Sequence, residues 1–339
     1  MQVGSSCFHG DEYIGALAGA ASRGVRHFDC AVLYGNQENT LAGMKKAGLK
    51  RDEFQITSKV GYFPPDCEGK IYPWNGNNVK LDEAASIDLA LKQLGTDYID
   101  LLLIHSPFVG PGEFKAALTP HFFAWGHEQG RDFVGVPVSP FETIDGDNVR
   151  ELMSEARLAR AAKLGINFEK NREIRAKSWE ALENAHKAGK AKMIGVSNYP
   201  ANVLEEMTTY ASIMPAVNQI EFHPSNQQPK VLAAAKKHNI QICGYAMCHD
   251  VMYNPNPVIA EIGKARGWSE YQVVLRWVNQ KGVASIFGSS RPEEQIANLA
   301  SLEGPDLTTD EVAKIDALDI NRPVFFLTEA AEQSCNFKA

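Results

Sequence analysis

Four residues near the ends of apolar runs have the chemistry to donate a proton together. Residues 27–35 read HFDCAVLYG, so Asp29 closes a short apolar run and Tyr34 follows five residues later. Lys59 lies at the end of EFQITSK, and His105 lies at the end of YIDLLLIH. A tyrosine is a weak acid with a pKa of about 10, and a neighbouring ammonium lowers that pKa because it stabilises the phenolate. A buried lysine in turn needs a carboxylate partner to stay charged.

This set of groups fits the reduction of a carbonyl compound. Tyr34 would protonate the carbonyl oxygen, with Lys59 and Asp29 making the phenol acidic enough. His105 would donate a hydrogen bond to the same substrate oxygen. Reduction also requires a hydride, which a cofactor would supply. The interpretation holds only if the fold brings the four residues together.

Short apolar runs alternate with helical patterns and would form the scaffold. The strand candidates are MQVGSS, VRHFD, EFQITSK, YIDLLLIH, AKMIGVSN, PAVNQIEFH, IQICGYA and VASIFGSS. These runs are continuous rather than alternating, which is typical of parallel strands covered on both faces. Eight strand–helix units over about 300 residues predict an α/β fold, a (β/α)8 TIM barrel. A doubly wound sheet is the alternative, but GSSCFHG is a poor match to the glycine-rich turn that it needs after its first strand.

A barrel would bring the ends of these strands to one mouth, where active sites form. Polar or aromatic residues close several strands besides those that carry the proposed proton donors. They are Ser197 and Asn198 on the fifth strand, Asn218, Gln219 and Glu221 on the sixth, and Tyr245 on the seventh. Each alone has a structural explanation, but their shared placement favours a functional site.

A long insertion follows the fourth strand. Residues 107–170 are rich in proline, glycine and aromatic residues, as in FFAWGHEQGRDFVGVPVSPF, before a helix pattern resumes. We predict a single barrel domain over residues 1–339 that carries this insertion. Its position after a strand puts it on the face where active sites form. A surface elaboration or oligomer contact and a substrate lid are both open interpretations.

Composition excludes several classes of protein. The chain of 339 residues is 44% hydrophobic with a net charge of −7 and a pI of about 5.8, and it has no basic run, so we expect no nucleic-acid partner. No apolar stretch is long enough to span a bilayer and no signal peptide is visible, so we expect no membrane partner. The six cysteines show no CxxC spacing. That favours free thiols in a reducing compartment, the cytoplasm, and no metal site.

At this point the chain strongly resembles the aldo-keto reductase superfamily. FDCAVLYGN is similar to the signature FDTAxxYGNE, with Cys30 in place of the usual threonine and Gln37 where glutamate is common. TSKVG matches the lysine strand, and DLLLIHSP matches the histidine strand. GKAKMIGVSNY, VNQIEFHP and GWSEYQVVLRWVNQKGV match further family segments in the right order. The resemblance covers nearly the whole chain apart from the insertion and the C-terminal residues.

The resemblance implies a role for each matched residue. Tyr34 is the general acid, Lys59 and Asp29 tune it, and His105 orients the carbonyl. Ser197, Asn198 and Gln219 hold the nicotinamide carboxamide, and Tyr245 stacks on the nicotinamide ring. The dinucleotide lies extended across the barrel mouth without a Rossmann domain.

The chain also departs from the family pattern. The N-terminal β-hairpin is apparently absent, and YAMCHDVMYNP replaces the usual loop after the seventh strand. The segment for the adenosine phosphate reads IFGSSRPEEQIANL. In it, Glu294 lies where arginine is often found, and Ala297 where glutamate is often found. The cofactor-binding candidates in this segment are Gly288, which replaces a lysine, and Ser289, Ser290, Arg291 and Asn298.

Two classes of function therefore stay open. The leading prediction is an NAD(P)H-dependent reductase of a small aldehyde or ketone. Arg291 beside two serines at a helix start favours NADPH over NADH. The alternative is a cofactor-binding regulatory subunit of a larger complex, with the insertion as its partner surface. We expect a monomer or a homodimer, with the insertion as a possible contact. His223, which follows the sixth strand, is predicted to lock a loop by a hydrogen bond rather than to act in catalysis.

Overall fold

Parallel strands close into a barrel in the part of the chain that the structure describes. The computed structural model describes residues 2–4, 10–61, 82–107, 168–253, 255–289 and 291–322. Its strands are β1 (Gln2–Gly4), β2 (His27–Asp29), β3 (Gln55–Val60), β4 (Ile99–Ile104), β5 (Ala191–Ser197), β6 (Val217–Glu221), β7 (Gln241–Tyr245) and β8 (Ala284–Phe287). They pair in sequence order, and β8 pairs with β1. The predicted (β/α)8 TIM barrel is confirmed.

Helices follow the strands and cover the outside of the barrel. The described α-helices are α1 (Gly10–Ser22), α2 (Gln37–Lys46), α3 (Glu83–Leu94), α4 (Phe168–Lys187), α5 (Ala201–Met207), α6 (Pro229–Lys237), α7 (His249–Tyr253), α8 (Pro257–Arg266), α9 (Glu270–Gln280), α10 (Pro292–Glu303) and α11 (Thr309–Asp316). Short 3₁₀ helices span Val32–Tyr34 and Arg51–Glu53.

Local sequence signals set several of these helix starts. The Ser269 hydroxyl accepts a hydrogen bond from the Gln272 N–H, and the Gln272 side chain bonds back to the Ser269 N–H, which begins α9. Thr308 and Glu311 form the same reciprocal pair at α11. Such capping boxes satisfy N–H groups that the first helical turn leaves without intrahelical partners.

The strands are apolar because both of their faces are covered. Every residue of β4 is buried, and its sequence IDLLLI holds a single charged side chain. On β5, Gly195 permits a close approach of β6, since a Cβ atom at this position would lie 2.6 Å from the Val217 carbonyl oxygen. Directly after β6, the Phe222 ring stacks on Trp277 of α9 at 5.2 Å between centroids. This packing fixes the barrel, and so the positions of the strand ends.

Two sequence expectations are refined by the structure. Helix α4 begins at Phe168, so the last three residues of the predicted insertion 107–170 belong to a barrel helix. Residues 108–167 of that insertion lie outside the described residues. Its interpretation as a surface elaboration or oligomer contact and its interpretation as a substrate lid both concern those residues. Among the described residues, no helix is both long and apolar enough to cross a membrane.

Candidate active site

The ammonium of Lys59 lies at the centre of the predicted proton-donor group. Lys59 is on β3, and its side chain is fully buried beside Asp29 at the end of β2. Its Nζ lies 2.5 Å from Asp29 Oδ1, 3.0 Å from the Cys30 carbonyl oxygen and 3.3 Å from Tyr34 Oη. An ammonium has three N–H donors, and these three acceptors account for all of them. The phenol oxygen of Tyr34 is therefore held directly against a buried cation.

A tight turn presents Tyr34 to the lysine. The 3₁₀ helix Val32–Tyr34 follows β2, and Gly35 ends it in the left-handed region with φ of +64°. Glycine adopts that conformation without the steric cost that a Cβ atom would bring. The turn reverses the chain after β2, so that the Tyr34 phenol lies beside Lys59.

His105 completes the group from the end of β4. Its Nε2 lies 3.5 Å from Tyr34 Oη, and the two rings meet edge to face. Burial holds the pKa of His105 well below its ordinary value, and the charge of Lys59 lowers that pKa further. The imidazole is therefore neutral at physiological pH and can act as a hydrogen-bond donor or acceptor.

Gln219 contacts the group from the opposite side of the barrel. Its Nε2 donates to Asp29 Oδ2 at 2.8 Å, so Asp29 is bound by Lys59 through one oxygen and by Gln219 through the other. This contact joins β6 to β2.

Asn198 connects the ends of three other strands. Its backbone is left-handed with φ of +61°, which asparagine tolerates better than most residues do. Its Nδ2 donates to the His105 carbonyl oxygen at 2.8 Å and to Ser197 Oγ at 3.1 Å. Its Oδ1 accepts a hydrogen bond of 2.7 Å from Tyr245 Oη. Ser197, Asn198, Gln219 and Tyr245 thus lie at one mouth with the proton-donor group.

A second polar group follows β8. Ser289 is buried, and its hydroxyl oxygen accepts a hydrogen bond from the Arg291 N–H at 3.0 Å. The same hydroxyl donates to Glu294 Oε2 at 2.5 Å, and the Arg291 guanidinium pairs with the other oxygen of Glu294. Gln295 supports the turn from below, because its Nε2 donates to the carbonyl oxygens of Ser289 and Ala16.

The remaining predicted cofactor residues lie near this group. Gly288 is exposed at the end of β8, and Asn298 is half-buried on α10. Ser290 lies outside the described residues.

Comparisons with known proteins identify the family. The model of the aldo/keto reductase family matches residues 1–320. The chain belongs to the aldo-keto reductase family. The resemblance on which the site residues were predicted is thereby confirmed at the level of the family.

Curated relatives of known activity are similar over most of their length. The NAD(P)H-dependent D-xylose reductase I,II of Candida tropicalis is 31% identical over 319 residues, which cover 89% of this chain and 83% of the relative. The glyoxal reductase of Bacillus subtilis is 28% identical, with coverage of 92% and 85%. The NADPH-dependent alpha-keto amide reductase of Saccharomyces cerevisiae is 27% identical, with coverage of 88% and 76%. The chain is therefore an oxidoreductase of this family, which uses NAD(P)H.

Solved structures show the same fold. The Bombyx mori aldo-keto reductase in complex with NADP superposes with a TM-score of 0.68 at 21% identity, covering 97% of this chain and 92% of that one. The aldose reductase of Schistosoma japonicum superposes with a TM-score of 0.69 at 20% identity, covering 99% and 94%.

A supporting amide behind the proton-donor group was noted in the sequence only as a departure from the family signature. Gln37 begins α2 and is buried. Its Oε1 accepts hydrogen bonds from Ser58 Oγ at 2.5 Å and from Cys30 Sγ at 3.5 Å, while its Nε2 donates to Gln93 at 2.7 Å. Ser58 precedes Lys59 on β3, so Gln37 fixes that strand against the turn that carries Tyr34. No local pattern marked Ser58.

A buried imidazolium, that of His223, lies between two carboxylates after β6 in this aldo-keto reductase. His223 Nε2 lies 2.9 Å from Glu221 Oε1, and Nδ1 lies 3.0 Å from Asp250 Oδ2. Burial lowers the pKa of His223, but the hydrogen bonds and charges of Asp250 and Glu221 outweigh burial and raise it to about 9. The predicted locking role of His223 is confirmed, and its partners join the end of β6 to α7.

The cysteines near the mouth are poor nucleophiles. Burial raises the pKa of the Cys30 thiol and of the Cys248 thiol to about 12. Both are free, and both stay protonated at physiological pH. They act as small apolar side chains in the packing around the site.

Proposed function

We propose that this aldo-keto reductase reduces an aldehyde or ketone to an alcohol, with Tyr34 as general acid and NADPH as the preferred cofactor. The observation that carries the proposal is the buried Lys59 ammonium, paired with Asp29 and 3.3 Å from Tyr34 Oη. A cation held at this distance stabilises the phenolate that remains after Tyr34 has given up its proton.

Tyr34 and His105 would contact the same substrate oxygen. Their polar atoms, Oη and Nε2, lie 3.5 Å apart, so a carbonyl oxygen beside them can accept from both. Neutral His105 donates in the tautomer that carries hydrogen on Nε2. It thereby orients the carbonyl and withdraws electron density from its carbon, while Tyr34 delivers the proton.

The proton and electron balance of the reaction is simple. When bound, the cofactor supplies a hydride, which adds two electrons and a hydrogen to the carbonyl carbon. Tyr34 gives its proton to the oxygen as negative charge develops there, and the product is the alcohol. The Tyr34 phenolate, stabilised by Lys59, then takes up a proton from water.

The residues at the mouth fit a nicotinamide cofactor. A carboxamide has an oxygen that accepts and an NH₂ group that donates, and the side chains of Ser197, Asn198 and Gln219 carry both kinds of partner. Most of these groups bind one another or a neighbouring strand, and they would exchange some of those contacts for the ligand. Tyr245 is fixed by its hydrogen bond to Asn198, so its ring is oriented before any ligand arrives. Ser289 and Arg291, with the N-terminus of α10, would bind the phosphate on the adenosine ribose. The relatives named for NADPH support this choice.

Purified protein titrated with NADPH and NADH, followed by turnover of 4-nitrobenzaldehyde, glyoxal and D-xylose, tests the proposal. We expect NADPH to bind, at least one carbonyl compound to be reduced, and Tyr34→Phe to lower kcat by about 100-fold or more while the Kd for NADPH changes little. Unchanged kcat in Tyr34→Phe would refute the role of Tyr34. Cofactor binding without turnover of any carbonyl would favour the regulatory-subunit alternative.

The cytoplasm remains our expected location, because the described cysteines Cys30, Cys243 and Cys248 are free thiols.

A further inference from the structure

We propose that Glu294 sets the coenzyme selectivity of this reductase by occupying the donors that would otherwise hold the 2′-phosphate of NADPH. The inference rests on the proposed function, which places the adenosine ribose at the segment after β8. The resulting enzyme uses NADPH with a preference that Glu294 reduces, and it accepts NADH as well.

The carboxylate of Glu294 already contacts the groups that would bind a phosphate. Glu294 Oε2 accepts a hydrogen bond of 2.5 Å from the Ser289 hydroxyl, and Oε1 pairs with the Arg291 guanidinium. The base of the group is buried, because Ser289 is only 9% exposed and Gln295, which holds its carbonyl oxygen, is 1% exposed, while the Arg291 and Glu294 side chains reach solvent. Glu294 lies in the first turn of α10, where backbone N–H groups also favour negative charge. One intramolecular anion thus uses the hydroxyl, the guanidinium and the helix start together.

Phosphate and hydroxyl ligands meet this carboxylate differently. A ribose 2′-phosphate carries negative charge, so it must displace Glu294 from Ser289 and Arg291 and then lie beside the displaced carboxylate. A ribose 2′-hydroxyl instead donates a hydrogen bond to a carboxylate and leaves both internal contacts in place. Glu294 therefore weakens NADPH binding and leaves NADH binding nearly unaffected.

Tyr271 is a neighbour of the same group. Tyr271 of α9 is 37% exposed, and its phenol interacts electrostatically with Cys248, Glu294 and Arg291. Burial raises the pKa of Tyr271, and Cys248 and Glu294 raise it further. Cys248 lies three residues beyond Tyr245, which is proposed to stack on the nicotinamide ring.

The test is the ratio of two dissociation constants. Equilibrium titrations with NADPH and NADH, monitored by protein fluorescence, are carried out on the wild-type chain, on Glu294→Gln and on Glu293→Gln. We expect Glu294→Gln to tighten NADPH binding by about fivefold to tenfold and to change NADH binding by less than about twofold. Glu293 is an exposed acid of the same helical turn. Its neutral variant removes the same net charge, and we expect it to leave the ratio within about twofold of wild type.

A double variant tests the coupling directly. If Glu294 occupies Arg291, then Arg291→Gln weakens NADPH binding more in the Glu294→Gln background than in the wild-type background. Titration with 2′,5′-ADP and with ADP should show the same pattern without the nicotinamide.

The possible outcomes separate the inference from the proposed function. An unchanged NADPH/NADH ratio in Glu294→Gln, or an equal change in Glu293→Gln, would overturn the role of Glu294 while leaving the reductase intact. Failure of the wild-type chain to bind either cofactor would overturn the proposed function, and this inference with it.

Discussion

Replacing Lys59 with methionine tests whether a buried ammonium makes Tyr34 an effective proton donor. Methionine has nearly the length of lysine and carries no charge, so the variant removes the cation with little change in packing. Lys59 Nζ lies 3.3 Å from Tyr34 Oη, and the lysine side chain is 0% exposed. Because the Lys59 ammonium itself is shielded from bulk water, screening of its charge by salt is weak.

The two charges beside Tyr34 set the size of the effect. At an effective dielectric constant of about 20, a unit cation at this distance stabilises a phenolate by about 5 kcal/mol. Asp29 opposes it: the contacts of Asp29 Oδ1 and Tyr34 Oη with the same Nζ limit their separation to about 6 Å, and at that separation the carboxylate offsets about 3 kcal/mol. The net stabilisation of about 2 kcal/mol corresponds to about 30-fold in rate.

We therefore expect Lys59→Met to lower kcat by at least about 30-fold. This lower limit applies if Asp29 takes up a proton once its cation has gone. The loss rises towards about 5,000-fold if Asp29 stays ionised, because the whole Lys59 attraction of about 5 kcal/mol is then lost while the carboxylate still opposes the phenolate. The pH at which reduction slows should also move upwards, because the phenol keeps its proton longer.

The assay is steady-state reduction of 4-nitrobenzaldehyde by NADPH as a function of pH. Circular dichroism and the Kd for NADPH check that the variant is folded and that its cofactor site is intact. Lys190→Met is the matched control, because Lys190 forms an exposed pair with Asp88 and is remote from the mouth. A Lys59→Met enzyme with kcat within about threefold of wild type and an unshifted pH profile would refute the electrostatic reasoning.

Two further predictions concern stability. Because the pKa of His223 is raised to about 9, protonated His223 stabilises the fold fully below a pH of about 6.5, and this stabilisation is lost as the pH rises through about 9. The free energy of unfolding of the wild type, measured with urea, should therefore fall by roughly 3 kcal/mol over that pH range. His223→Gln should abolish this pH dependence. An equal slope in both proteins would contradict the assignment. Arg175 makes a buried two-point ion pair with Glu206, so Arg175→Met should cost about 3–5 kcal/mol of unfolding free energy. Arg172 is half-buried and makes exposed hydrogen bonds to Thr209, so Arg172→Met should cost under about 1 kcal/mol. Equal losses of unfolding free energy in the two arginine variants would show that the buried ion pair stabilises the fold no more than the Arg172 contacts do.

The sequence by itself determined the barrel and the proton-donor group. Continuous apolar runs such as IDLLLI predict strands that are buried on both faces, as parallel strands between helices are. Once the fold is a barrel, residues at strand ends must share one mouth. Asp29, Tyr34, Lys59 and His105 were therefore identified from their places along the chain, and the structure brings all four together.

Only the tertiary structure decided which polar groups bind one another. Gln219 donates to Asp29 across 190 residues of sequence, and His223 lies between Glu221 and Asp250. Glu294 turns back onto Ser289 and Arg291, two residues that the sequence assigned to the cofactor alone. Such pairs depend on strand register, on turn geometry and on the rotamers that packing permits, none of which leaves a local periodic signal. Hydrophobic patterns fix where strands end, whereas the hydrogen bonds and ion pairs among the side chains at those ends depend on distances that exist only after folding.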